Sequence, residues 1–155
     1  MIALRQVSSG RHAVGVRIVS TKAYELENNN LGTSTVEFTG ENFITVDRKA
    51  EKKAEVEDTT LRFRTTAISG LLFLAKSQRS LDTLELSLVG GQVRIFIRLG
   101  HYEKQMTIGQ SLNDDFWHTI TFKRRGNIIE AFIDDEEPKK GNTLLALTKL
   151  SLSQP

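Results

Sequence analysis

The sequence predicts an all-β protein, an antiparallel sandwich of two sheets. Three observations carry this. Short runs rich in Val, Ile, Leu, Phe and Thr follow one another through residues 36–134, separated by turn residues. Several runs alternate apolar and polar side chains with the period of two that a half-buried strand requires. Glycine pairs stand between runs, where they let the chain reverse in a tight hairpin. Strands that are apolar on one face must have that face covered, and a second sheet does so.

The predicted strands, in order, are Val36–Phe38, Phe43–Asp47, 59–65, 71–76, Thr83–Val89, Gln92–Leu99, 104–108, 117–123 and 128–134. Leu61 and Phe63 alternate with Arg62 and Arg64. Leu84, Leu86 and Leu88 fall on one face, with Thr83, Glu85 and Ser87 on the other. Val93, Ile95 and Ile97 share a face, with Arg94 and Arg98 opposite. Ser69-Gly70, Gly90-Gly91 and Gly126-Asn127 supply turns between these runs. Residues 48–58 (RKAEKKAEVED) read as a charge-dense surface loop with room for one or two helical turns.

The ends differ from this pattern. No acidic residue precedes Glu25, while Arg5, Arg11, Arg17 and Lys22 do. Residues 25–35 (ELENNNLGTST) are polar and turn-rich. Residues 1–34 are therefore expected to form a basic leader and polar linker, partly irregular, and the leader's Arg and Ser content also fits a transit peptide loosely. Residues 142–155 read as an unrelated tail or as a final strand at 147–152.

Composition narrows the function classes. A chain of 155 residues suits one domain. Its net charge of +2 names no partner. The absence of cysteine excludes disulfides, thiolate metal sites and a cysteine nucleophile. No apolar run approaches the roughly 20 residues of a membrane span, so no membrane insertion by this chain is expected, and no signal peptide is visible. Basic residues are not interleaved with exposed aromatics in a nucleic-acid-binding motif, so no nucleic acid is expected. His12, His101 and His118 lack metal-ligand spacing, and no nucleophile elbow or phosphate loop is present. Asp134, Asp135, Glu136 and Glu137 run consecutively into Pro138, which reads as a turn rather than as two carboxyls facing a sugar. The chain is expected not to be an enzyme.

Arg94 and Arg98 share a strand face, and Lys123, Arg124 and Arg125 cluster at a strand end. Summed charge at these positions would attract a sulfated polysaccharide. The alternative is that they are ordinary solubilising positions.

The order of VEFTGENFITV, DTTLRFRTTAISGLLFLA, LDTLELSLVGGQVRIFIRLG and LNDDFWHTITFKRRGNIIEAFIDD resembles a laminin G (laminin–neurexin–sex hormone-binding globulin) domain, neurexin-like and C-terminally shortened. The resemblance covers residues 35–141. It implies a curved, lectin-like (concanavalin-like) jelly-roll sandwich, incomplete at its C-terminus, with Trp117 anchored in the core. It implies an extracellular or cell-surface recognition module that binds a protein or glycan partner at rim loops 76–82, 100–103 and 110–115, as in cell adhesion or synaptic receptors. It also implies calcium, held by Asp82 at a strand start and the main-chain carbonyl of Leu99 at the end of the next strand. Calcium takes roughly six to eight oxygens, so these two make half a site. The competing classes are a carbohydrate-active enzyme on a lectin fold and a shortened product without independent function, which would expose unpaired strand edges.

Overall fold

A computed structural model describes residues 2–6, 15–19, 36–38, 43–47, 53–77, 80–144 and 150–151. Every regular element among them is a strand. In chain order these are β1 (Ile2–Gln6), β2 (Gly15–Val19), β3 (Val36–Phe38), β4 (Phe43–Asp47), β5 (Lys53–Ala54), β6 (Val56–Thr65) and β7 (Ser69–Lys76). There follow β8 (Thr83–Val89), β9 (Gln92–Leu99), β10 (Tyr102–Ile108), β11 (His118–Arg125), β12 (Ile128–Ile133), β13 (Lys139–Asn142) and β14 (Leu150–Ser151).

Two antiparallel sheets form the sandwich. One has six strands in the order β13-β12-β11-β6-β1-β3 and the other four in the order β10-β9-β8-β7. Two small ribbons, β14-β5 and β2-β4, accompany them. The period of two decides which side chains enter the core. Leu84, Leu86 and Leu88 from β8 and Val93, Ile95, Ile97 and Leu99 from β9 are almost fully buried. They join Leu61 and Phe63 from β6, Ile120 and Phe122 from β11, and Ile129, Ala131 and Ile133 from β12 in one cluster between the sheets. Burial of this apolar area is the main stabilising term, at about 25 cal/mol per Å² removed from water. Gly90 and Gly91 take φ of 62° and 75° and close the β8–β9 hairpin as expected.

Several sequence expectations change. Residues 56–58, expected in a loop, begin β6, where Val56, Glu57 and Asp58 are register partners of Arg125, Arg124 and Lys123. Their acids stand opposite bases on β11, and that cross-strand pairing outweighs their poor strand propensity. Residues 1–34, expected as leader and linker, contribute β1 within the six-stranded sheet and β2 beside β4. IALRQ and GVRIV follow the same short apolar patterning as the other strands, punctuated by arginine. Lys139–Asn142 adds an unpredicted edge strand beside β12. Of the expected final strand, Leu150–Ser151 is seen pairing with β5, and its flanking residues lie outside the described ones.

Candidate functional site

The sandwich has two ends. At one, β8 begins and β9 finishes, which brings Asp82 against the turn after Leu99. The Gly100 amide donates to Asp82 Oδ1 at 2.9 Å. The Asp82 amide donates to Ser80 Oγ at 3.3 Å, and the Ser77 amide donates to the Asp82 carbonyl at 2.9 Å. Asp82 is thereby 8 % exposed and clasps the β7–β8 connection to the β9–β10 turn. The two expected calcium ligands belong to neighbouring loops, but in the trans peptide between Leu99 and Gly100 the carbonyl points opposite to the amide that faces Asp82. Tested as a calcium site, they supply one carboxylate and one carbonyl, fewer than the roughly six to eight oxygens calcium takes. Among the described residues no group of three or more His, Cys, Asp or Glu is arranged to hold a metal ion. The pair alone falls short of the donor set calcium takes.

Of the three expected rim loops, the described residues of 76–82 and the loop 100–103 share this end. The loop 110–115 lies at the other, where the Leu112 amide donates to the Gly91 carbonyl at 2.8 Å and the Asp115 amide to the Thr65 carbonyl at 3.1 Å.

The expected basic positions divide. Arg94 bonds Glu85 at 3.2 Å and Ser87 Oγ at 3.3 Å. Arg98 donates through Nε to Glu103 at 2.8 Å. Arg125 donates to Asp58 at 2.8 Å, which holds the Asp58 carboxyl below its ordinary value. Lys123 lies 5.8 Å from the centre of the Phe132 ring. Arg94, Arg98 and Arg125 therefore each direct their charge at a neighbouring carboxylate.

Arg124 does not belong with Lys123 and Arg125. The period of two that turns Ile120 and Phe122 inward turns Arg124 inward as well, and it is 0 % exposed. It donates through Nη1 to the Gly126 carbonyl at 2.8 Å. Burial lowers its pKa, against the opposing charges of Glu57, Asp82 and Glu55. A guanidinium buried in this way is not open to an external ligand.

The opposite end holds a cluster absent from the sequence expectations. His118, at the start of β11, has Asp134 Oδ2 at 2.8 Å from Nδ1 and Asp114 Oδ1 at 3.0 Å from Nε2. Asp134 Oδ1 also accepts from the Thr119 amide at 2.7 Å, and Asp114 Oδ1 from the Phe116 amide at 2.9 Å. The imidazole thus ties the loop before β11 to the turn after β12. Asp134 takes a φ of 49°, uncommon for a residue with a side chain and tolerated best by Asn and Asp. The register of β11 against β12 is the signal that would find the pair, because Ile120 faces Ile133.

Burial disfavours the charged ring, yet hydrogen bonds to Asp134 and Asp114 outweigh it, and the His118 pKa is raised above 6.5. A raised folded-state value means that protonation stabilises the fold. That contribution is full below the unfolded value of 6.5 and is lost as pH rises through the folded value. The melting temperature of the wild type minus that of His118→Gln is expected to be largest below pH 6.5 and to shrink above it. A difference that grows with pH in thermal denaturation would contradict this.

Trp117 also departs from expectation. It falls on the outward parity of β11, half-buried on the outer face of the six-stranded sheet rather than in the core. The Arg62 guanidinium lies 5.2 Å and that of Arg64 5.7 Å from the centre of its ring.

The structure is a two-sheet antiparallel sandwich of the jelly-roll type, with Asp82 hydrogen-bonded to the Gly100 amide at one rim. Comparison with known proteins identifies its family. The profile of the Laminin G domain family matches residues 63–155. Neurexin 1 of Drosophila melanogaster is 38% identical over 112 residues, 70% of this chain and 6% of that protein. Neurexin-3a of Danio rerio is 31% identical over 112 residues, 66% of this chain and 7% of that protein. The mouse laminin alpha1 chain, domains LG4-5, superposes with a TM-score of 0.63 at 21% identity, over 70% of this chain and 29% of that one. The LG1-3 region of the laminin alpha2 chain gives 0.59 at 17% identity, over 97% of this chain and 24% of that one, a likeness of fold. The chain belongs to the laminin G domain family, with neurexins among its relatives. It spans 6% to 7% of the length of the neurexins it matches.

Proposed function

We propose that this chain is a non-enzymatic recognition module of the extracellular space or cell surface, engaging a protein or glycan partner through the rim that carries Asp82 and Leu99. The observation that carries the reading is the 2.9 Å bond from the Gly100 amide to Asp82 Oδ1. It joins two rim loops into one preorganised surface, and preorganisation lowers the ordering cost of binding. Membership of the laminin G family supports the class of function. The acids at 134–137 support the non-enzymatic reading, because they form a turn in which the Glu136 amide donates to the Ile133 carbonyl at 2.9 Å. Asp134 is already engaged by His118 and Thr119.

At this rim, the Asp82 carboxylate would hold calcium weakly, with the Leu99 carbonyl joining it through a turn of the peptide between Leu99 and Gly100 and the remaining oxygens coming from water or a partner. Sites with few charged ligands bind in the range of about 0.1–1 mM. Calorimetric titration with calcium is expected to give saturable heat in that range and none with Asp82→Asn, which keeps an oxygen for the Gly100 amide but loses the charge. Calcium heat that survives in Asp82→Asn removes the metal from this rim. For the wider reading, the immobilised chain is probed with a panel of cell-surface ectodomains and sulfated glycans. Binding that Asp82→Asn or His101→Ala weakens supports it, and binding indifferent to both overturns it.

A further inference from the structure

We propose a second recognition surface, on the outer face of the six-stranded sheet, where Arg62 and Arg64 over Trp117 dock an acidic segment of a protein partner. Arg62 and Arg64 sit two residues apart on β6, so they leave the same face side by side. Trp117 lies beneath both, 5.2 Å and 5.7 Å from the guanidinium carbons.

Stacking on an indole holds a guanidinium in place without neutralising it. This separates the pair from the other outward arginines among the described residues. Arg94, Arg98 and Arg125 each donate to a carboxylate, at Glu85, Glu103 and Asp58. Arg64 has Asp115 at 3.6 Å, an exposed contact with side chains 48% and 62% accessible. Such a pair contributes little and is readily exchanged for an incoming carboxylate. The face thus offers two aligned forks of donors that fit carboxylates.

The occupant is a protein segment rather than a polysaccharide because of the exposed apolar residue that precedes Trp117 in the chain. Phe116, next to Trp117, is 70% exposed, the highest exposure among the described large apolar residues. Arg and aromatic side chains together are the composition of energetic centres in protein–protein interfaces. An acidic segment with one apolar residue satisfies both the forks and the Phe116 ring. The indole, already covered by guanidiniums, has less face left for a sugar. This surface adjoins the loop at 110–115 and so lies at the end of the sandwich away from Asp82, independent of the rim.

Trp117 is the only tryptophan in the chain, so its emission reports on this face alone. A short synthetic peptide of alternating glutamate and leucine is titrated into the full chain, and binding is read from the concentration dependence of the emission. A saturable change is expected, weakened by salt. Arg62→Gln and Arg64→Gln are each expected to raise the Kd about tenfold. Arg98→Gln, equally a surface arginine, is expected to leave it unchanged. The far-ultraviolet circular dichroism of each variant is compared with wild type, since both altered side chains are solvent-accessible and the fold should persist. The proposal is overturned by a flat titration, by equal affinity in Arg62→Gln, Arg64→Gln and wild type, or by a heparin oligosaccharide that changes the emission at lower concentration than the peptide.

Discussion

Replacing Phe122 with alanine is expected to cost about 3–5 kcal/mol of folding stability. Phe122 is 0 % exposed at the middle of β11, and its ring projects into the cluster shared by both sheets. Truncation removes the ring's transfer energy and leaves a cavity. The neighbours resist filling it, because the register partners of Phe122 are Ala131 on β12 and Thr59 on β6. Neither is long enough to swing into the space, which places the cost toward the upper part of the range. Small domains are stable by only about 5–15 kcal/mol, so the variant loses a large share of its margin. Urea unfolding followed by circular dichroism measures the change. Leu71→Ala, at a side chain 55% exposed, serves as reference and should stay within about 0.5 kcal/mol of wild type. A loss at Phe122 no larger than at Leu71 would show that β11 does not face the shared core.

Gly109→Ala is expected to cost about 2–5 kcal/mol, from two separable causes. Gly109 follows β10 with a φ of +70°, and a Cβ there adds the left-handed penalty of about 1–2 kcal/mol. That Cβ would also stand 2.7 Å from Leu112 Cδ1 and 3.2 Å from Ile133 Cγ1. Leu112 and Ile133 are 3% and 1% exposed, so neither has open space to move into, and overpacking adds about 1–3 kcal/mol. Gly90→Ala separates the causes. Gly90 has a φ of +62°, but a Cβ added there would meet nothing within 4 Å, so only the conformational cost applies. Equal losses at the two glycines, compared by urea unfolding, would mean that Leu112 yields freely. The strain would reach the histidine cluster, because Leu112 is buried in the loop that leads to Asp114, Trp117 and His118.

How much of this is legible in the sequence depends on the kind of information each residue carries. Strands β8 and β9 match their expected bounds to the residue, because strict alternation ends in glycine turns. Arg124 and Trp117 are legible in principle but easily misplaced. The parity of Ile120 and Phe122 already sends Arg124 inward and Trp117 outward. Residue type argues the reverse, since arginine is usually exposed and tryptophan usually buried. The first strand of the six-stranded sheet is hidden for a related reason. Its five residues include Arg5, and the run lacks partners nearby in sequence, since it pairs with β3 and β6.

The sequence by itself determined the fold class, the inward set of apolar side chains, the hairpin turns and the laminin G likeness, because period and turn chemistry are local properties. Only the tertiary structure decided which charges remain available. Asp82 and Gly100 are 18 residues apart, and His118 and Asp134 are 16. Arg94 meets Glu85, Arg125 meets Asp58, and Arg62 and Arg64 meet Trp117 only across paired strands. A guanidinium looks the same in the sequence whether a carboxylate or an indole lies beside it. Strand register chooses between them, because it decides which side chains of distant segments stand side by side.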